Sequence, residues 1–83
     1  MEYYFKPNAV RDLKKLPKSA QRRIFEKLDF YAASNNPLRF AEFLADNTLG
    51  GFRFRIGDYR VIFDIENRKI VILKIGHRRD IYK

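Results

Sequence analysis

An α+β fold is predicted for this 83-residue chain from three features of its sequence. Apolar residues recur every three to four positions as far as about residue 34 and at every second position from Gly50 onward. Pro7, Pro17 and Pro37 fall where one apolar pattern gives way to the next. Two polar turn signals, Gly57-Asp58 and Glu66-Asn67-Arg68, divide the second half into three strand-length pieces. The expected architecture is an N-terminal strand and two antiparallel helices packed on an antiparallel sheet, which a C-terminal three-stranded meander completes. One domain, residues 1–83, accommodates all of it.

Each element has a local reason. Tyr3 and Phe5 form a short apolar stretch that reads as an edge strand stopped by Pro7. Asn8 is placed to cap a helix through Leu16, with Val10, Leu13 and Leu16 on one face. Pro17 breaks that helix and suits the first turn of the next. The second helix runs to about Ser34, burying Ala20, Ile24, Leu28, Tyr31 and Ala32 at spacings of three and four, until Asn35-Asn36-Pro37 ends it. Phe40, Phe43 and Leu44 read as a partly helical turn. Phe52, Phe54 and Ile56 then alternate with Arg53 and Arg55, and Tyr59, Val61, Phe63 and Ile65 continue the period of two. The third strand covers Lys69 to Ile75. The helices should cover one face of the sheet and leave the other partly open.

Composition narrows the function classes. The net charge is +8, from 18 Lys and Arg against 10 Asp and Glu. Residues 1–49 hold nine basic and six acidic side chains, whereas residues 50–83 hold nine and four in a shorter stretch. A field of this sign suits a polyanionic partner. There is no cysteine, which excludes disulfides and thiolate zinc sites. No apolar run approaches a membrane span, and the first residues lack the apolar core of a secretion signal, so a cytoplasmic location is expected.

Register concentrates the charge. A two-residue turn at Gly57-Asp58 pairs Ile56 with Tyr59 and sets Arg55 opposite Arg60, with Phe54 and Val61 facing the helices. A three-residue turn at Glu66-Asn67-Arg68 would pair Ile65 with Lys69, Arg60 with Lys74, Phe63 with Val71 and Val61 with Leu73. A slip by one would drive Lys74 into the core. The expected result is a row, Arg55–Arg60–Lys74, with Arg53 beside it. Like charges placed opposite one another destabilise a sheet by about 0.2–1 kcal/mol per pair, and an anion bound at the site would relieve this. Arg60→Ala should therefore leave the fold intact or slightly more stable. The tail adds His77, Arg78 and Arg79 after Gly76, with Tyr82 near the end and no further helix expected beyond it. Cations beside an aromatic ring are what single-stranded RNA recognition uses.

The chemistry available is restricted. A Gly-rich phosphate loop and a nucleophile elbow are missing, the carboxylates are scattered, and one His cannot make a histidine pair. Neither metal nor cofactor is expected. RNA supplies its own nucleophile, because the 2′-hydroxyl can attack the adjacent phosphate if the strand is oriented and the developing charge is stabilised.

The stretch Gly51-Phe52-Arg53-Phe54-Arg55-Ile56-Gly57-Asp58-Tyr59-Arg60-Val61-Ile62-Phe63 and the tail Ile75-Gly76-His77-Arg78-Arg79-Asp80-Ile81-Tyr82 resemble the RelE/ParE toxin superfamily. The helical opening, Ala9 to Pro17, is similar too. The resemblance implies a toxin of a type II toxin–antitoxin system, of the RelE-type mRNA interferase branch. Such a toxin cleaves messenger RNA in the ribosomal A site and is held in a hetero-oligomer by a cognate RelB-like antitoxin. Carried onto this chain, it implies that Arg60 clamps the scissile phosphate and that Arg78 assists there or at the leaving oxygen. Tyr82 would stack on a base or move a proton, with His77 a further candidate. Arg53, Arg55, Lys74 and Arg79 would hold the RNA backbone. Relatives of this branch carry lysines where Arg53 and Arg55 stand, and arginine does not deprotonate. The proton acceptor is therefore expected among Tyr82, His77 and Lys74. Two other readings remain open at this point: a ParE-like inhibitor of DNA gyrase, and a non-toxic nucleic-acid-binding regulator.

Overall fold

The computed structural model describes residues 1–45 and 49–82. In chain order they form β1 (Glu2–Phe5), α1 (Pro7–Lys14), α2 (Lys18–Ala33), a 3₁₀ turn (Pro37–Phe40), β2 (Ala41–Phe43), β3 (Phe52–Ile56), β4 (Tyr59–Glu66) and β5 (Lys69–His77). The sheet order is β1-β5-β4-β3-β2. Two helices on a five-stranded sheet make an α+β fold, as the change of period predicts.

Three local expectations are corrected. First, β1 pairs parallel to β5, with Glu2 opposite Lys69 and Phe5 opposite Ile72, so the sheet is mixed rather than antiparallel. The helical pair returns the chain so that β1 lies alongside β5 in the same direction. Second, α1 begins at Pro7, with Lys6 at the N-cap and no side-chain capping bond. Proline fits the first helical position because its missing N–H would have had no helical partner there. Asn8 sits inside the first turn and accepts from Arg11 instead of capping. Third, the segment after Pro37 is a single 3₁₀ turn followed by a strand: Ala41, Glu42 and Phe43 pair with Phe54, Arg53 and Phe52.

The core lies between the helices and one face of the sheet. Ala9, Leu13, Ile24, Leu28, Tyr31 and Ala32 pack on Phe54, Ile56, Val61, Phe63, Ile70, Ile72 and Ile75. Aromatic rings bind the layers together, with Tyr31 against Phe54 at 4.6 Å and Phe54 against Phe63 at 4.3 Å between centroids. Fully burying each large side chain of this type contributes about 1.5–3 kcal/mol. Helix α1 lies beside β5, where β1 is too short to reach. There Asp12 Oδ2 accepts the Ile75 N–H at 3.0 Å.

The second hairpin departs from the expected register. Asn67 (φ 50°) and Arg68 (φ 61°) form a two-residue turn, so Glu66 pairs with Lys69 and Ile65 with Ile70. Phe63 then meets Ile72 instead of Val71. A regular ladder would next have set Val61 against Lys74, pushing a charge into the core. A bulge at Leu73 absorbs the offset, so that Ile62 pairs with Lys74, Val61 with Ile75 and Arg60 with Gly76. The opposite face is also less open than expected. Ile62 and Val71 are fully buried on it. Gly50 passes so close that a Cβ there would lie 2.7 Å from Ile62 Cγ2.

Candidate functional site

What remains open on that face is the end nearest the Gly57-Asp58 turn, and there the positive charge gathers. Strand alternation turns Arg53, Arg55 and Arg60 away from the helices, and the β3–β4 register places Arg55 directly opposite Arg60. Arg60 is the buried charged residue of the described chain, 6% exposed. Its Nη1 donates to the carbonyls of Gly57 and Tyr59, both at 2.9 Å. These bonds fix the guanidinium against its own hairpin. Burial pushes the Arg60 pKa down, and the charges of Arg55, Arg53 and Arg78 push in the same direction while Glu42 opposes them. Arginine stays protonated regardless, so burial and the neighbouring cations raise the cost of this charge without removing it.

Glu42 lies among these cations, and the sequence reading did not include it. Its two oxygens lie 3.2 Å from Arg53 Nε and Nη2, and Arg55 Nε is 3.6 Å away. The residue was missed because it falls in the segment read as a helical turn. The alternation of Ala41, Glu42 and Phe43 was the available signal, but three residues are too few to define a period.

The tail folds back over the same end of the sheet. The Arg78 N–H donates to the Asp58 carbonyl at 2.7 Å, and Arg78 Nε is 3.7 Å from Asp58 Oδ1, which ties the tail to the hairpin tip. Tyr82 is 51% exposed, its hydroxyl accepts from Arg53 Nη1, and the Arg53 guanidinium carbon sits 5.8 Å from its ring centre. That contact pushes the Arg53 pKa up.

The remaining predicted residues stand apart from this cluster. The His77 ring packs edge-on against Tyr59 at 5.7 Å, and its Nδ1 accepts the Arg79 N–H at 3.1 Å, so that nitrogen is engaged within the tail. Arg79 is exposed beside it. Lys74 is opposite Ile62, not Arg60, and lines a separate recess with Lys6, Pro7, Asn8, Leu49 and Leu73. The expected row Arg55–Arg60–Lys74 is therefore corrected to a cluster of Arg53, Arg55, Arg60 and Arg78. The two-residue turn and the bulge together shift the register by two, which moves Lys74 from Arg60 to Ile62 and puts Gly76 in its place.

Chemically, this arrangement offers a cationic cluster suited to a phosphate, with a carboxylate and a phenol at its edge. The carboxylate of Glu42 can accept a proton. The Tyr82 hydroxyl, accepting from Arg53, keeps its own proton for donation. Among the described residues, no three His, Cys, Asp or Glu side chains gather as a metal site would require. No helix among them is long and apolar enough to cross a membrane.

Comparison with known proteins agrees with this fold. Residues 3–82 match the family described as the ParE toxin of type II toxin–antitoxin systems. Toxin RelG of Mycobacterium tuberculosis is 38% identical over 81 residues, covering 95% of this chain and 92% of the relative. The toxin–antitoxin complex RelBE2 of the same organism contains a chain of similar fold. Its TM-score is 0.77 at 34% identity, covering 93% of this chain and 96% of that one. The archaeal RelE–RelB complex of Pyrococcus horikoshii gives a TM-score of 0.72 at 30% identity, covering 95% and 96%. With a family match across almost its whole length and relatives above 30% identity, this chain belongs to the RelE/ParE superfamily of type II toxin–antitoxin toxins.

Proposed function

We propose that this toxin is a cytoplasmic, ribosome-dependent endoribonuclease that cleaves messenger RNA in the ribosomal A site by 2′-hydroxyl attack, without metal or cofactor. The observation that carries the reading is the clustering of Arg53, Arg55, Arg60 and Arg78 with Glu42 and Tyr82 beside them. In the proposed reaction the 2′-oxygen attacks the adjacent phosphorus as Glu42 takes its proton. The 5′-oxygen leaves with a proton from Tyr82, and a 2′,3′-cyclic phosphate remains on the upstream fragment. Arg60 clamps the phosphate, its fixed guanidinium needing no reorganisation as charge develops. Arg78 reinforces that charge. Arg53 and Arg55 exchange their contacts with Glu42 for contacts with the RNA backbone, and Arg79 and Lys74 guide the strand farther out.

This assignment changes the proton acceptor expected from the sequence. Lys74 is displaced from the cluster, and His77 Nδ1 is occupied, whereas Glu42 already sits between two of the arginines. The inhibitor is a RelB-like antitoxin, in keeping with the RelE–RelB and RelBE2 complexes that share the fold. The net charge of +8 suits an acidic partner segment.

A second reading comes from the name of the matching family, which is that of the ParE toxin. A ParE-like inhibitor would bind DNA gyrase and perform no chemistry. Primer extension on a translated message after a brief pulse of expression separates the two. Cuts within codons, together with growth rescue by the neighbouring gene, support the nuclease. Intact message with stalled replication supports gyrase, and harmless expression removes both and favours a non-toxic regulator.

A further inference from the structure

Two residues of the proposed site, Arg78 and Tyr82, lie beyond the last strand and are both exposed. Exposed residues after a final strand keep a fixed place only if something holds the chain down. The one buried side chain after β5 among the described residues is Ile81, 1% exposed. It rests on Gly76: a Cβ built there would meet Ile81 Cδ1 at 3.1 Å and the Ile81 Cα at 3.7 Å. The chain between them is a tight turn, with the N–H groups of Asp80 and Ile81 both donating to the His77 carbonyl, at 2.8 and 3.0 Å. Gly76 is the direct cross-strand partner of Arg60. Partners in a ladder project to the same face, so Ile81 covers the sheet beside the Arg60 side chain.

We infer that Ile81 is a positioning residue: seated over Gly76, it fixes Arg78 and Tyr82 at the cationic cluster and keeps water from the flank of Arg60. The inference rests on the proposed reaction for its catalytic consequence, though not for the docking itself. Glycine at position 76 is needed for the space it leaves. An alanine methyl would crowd Ile81 Cδ1 at 3.1 Å while meeting the Ile81 backbone at ordinary contact distance, so it presses on the seated side chain without touching any charged group.

The test compares wild type with Ile81→Ala, Ile81→Val and Gly76→Ala in two measurements. Backbone amide heteronuclear NOE values report the order of residues 78–82. Single-turnover cleavage on programmed ribosomes reports the rate, with ribosome affinity measured in parallel. Ile81→Ala should loosen the tail and slow cleavage about 100-fold, the scale expected when a reacting group is misplaced by about 1 Å, and Gly76→Ala should act in the same direction to a smaller extent. Affinity should change less than threefold, and Ile81→Val should restore both order and rate. Tyr82→Phe added to Ile81→Ala should cost little more, because both changes remove the same contribution. An unchanged tail in Ile81→Ala overturns the inference, as does a loosened tail with wild-type cleavage. If wild type cleaves no RNA, the nuclease reading fails, and the NOE comparison alone decides whether Ile81 docks the tail.

Discussion

The β3–β4 and β4–β5 hairpins share β4, and each is closed by two residues, yet only the first keeps an unbroken register. In the first, the pairing dictated by Gly57-Asp58 already agrees with the burial pattern. Phe54 and Ile56 face the helices along with Val61 and Tyr59, and the arginines face away. In the second, turn and burial disagree by one residue. The Asn67-Arg68 turn sets Glu66 opposite Lys69 and brings Ile70 and Ile72 into the core, but continued regularly it would bury Lys74. Burying an unpaired charge costs several kcal/mol, whereas one unpaired residue costs only a local break in the ladder. Turn geometry therefore rules close to the turn, burial rules far from it, and Leu73 bulges out where the two meet. The consequence is that the first hairpin sets its cations on one face, while the second offers Gly76 as a seat for the tail.

The strongest way to break this contrast is at the centre of the regular hairpin. Arg60→Ala should lower single-turnover cleavage about 1,000-fold, and Arg60→Lys should recover little, because a point charge does not replace a two-pronged clamp. The earlier expectation of a slightly more stable fold is sharpened by the bonds to Gly57 and Tyr59. Losing them opposes the relief of repulsion, so stability in urea should move by no more than about 1 kcal/mol. Wild-type cleavage by Arg60→Ala would place the site elsewhere.

Proton transfer comes next in size. Glu42→Gln should cost about 100-fold in rate, since an amide cannot accept the proton of the 2′-hydroxyl. Tyr82→Phe should lose a similar factor with ribosome affinity intact. Should Tyr82→Phe stay active and Tyr82→Ala fail, stacking would be the role of Tyr82.

Lys74 measures what the bulge does. Displaced from the cluster, Lys74→Ala should change the cleavage rate less than about threefold and reduce the log–log salt slope of RNA binding by about 1. A rate loss matching that of Arg60→Ala would mean that the straight row predicted from the sequence operates in the working complex.

The smallest effect lies in the turn that forces the bulge. Arg68 has φ 61°, a conformation that glycine adopts without a Cβ clash. Arg68→Gly should raise stability by about 0.5–1 kcal/mol in urea unfolding and leave cleavage unchanged. Lower stability would show that the Arg68 side chain does more than occupy the turn.

Periodicity determined the helices and the three C-terminal strands, and with the Gly57-Asp58 turn it determined the β3–β4 register, because each follows from neighbours a few residues apart in the chain. That was enough to set Arg55 opposite Arg60 and to send Arg53 to the same face. The residues quoted for the family resemblance pointed to Arg78 and Tyr82, although nothing local to the tail said what holds them there. Four things were decided only in the folded chain. The parallel pairing of β1 with β5 depends on where two helices return the chain. The bulge at Leu73 settles a conflict between a turn and a core that lie at opposite ends of a strand. Glu42 joins the arginines through pairing between β2 and β3, and Ile81 reaches Gly76 through a turn after the last strand. Each is a contact between segments whose separate patterns carry no record of one another, and the close packing that brings them together exists only once the sheet is assembled.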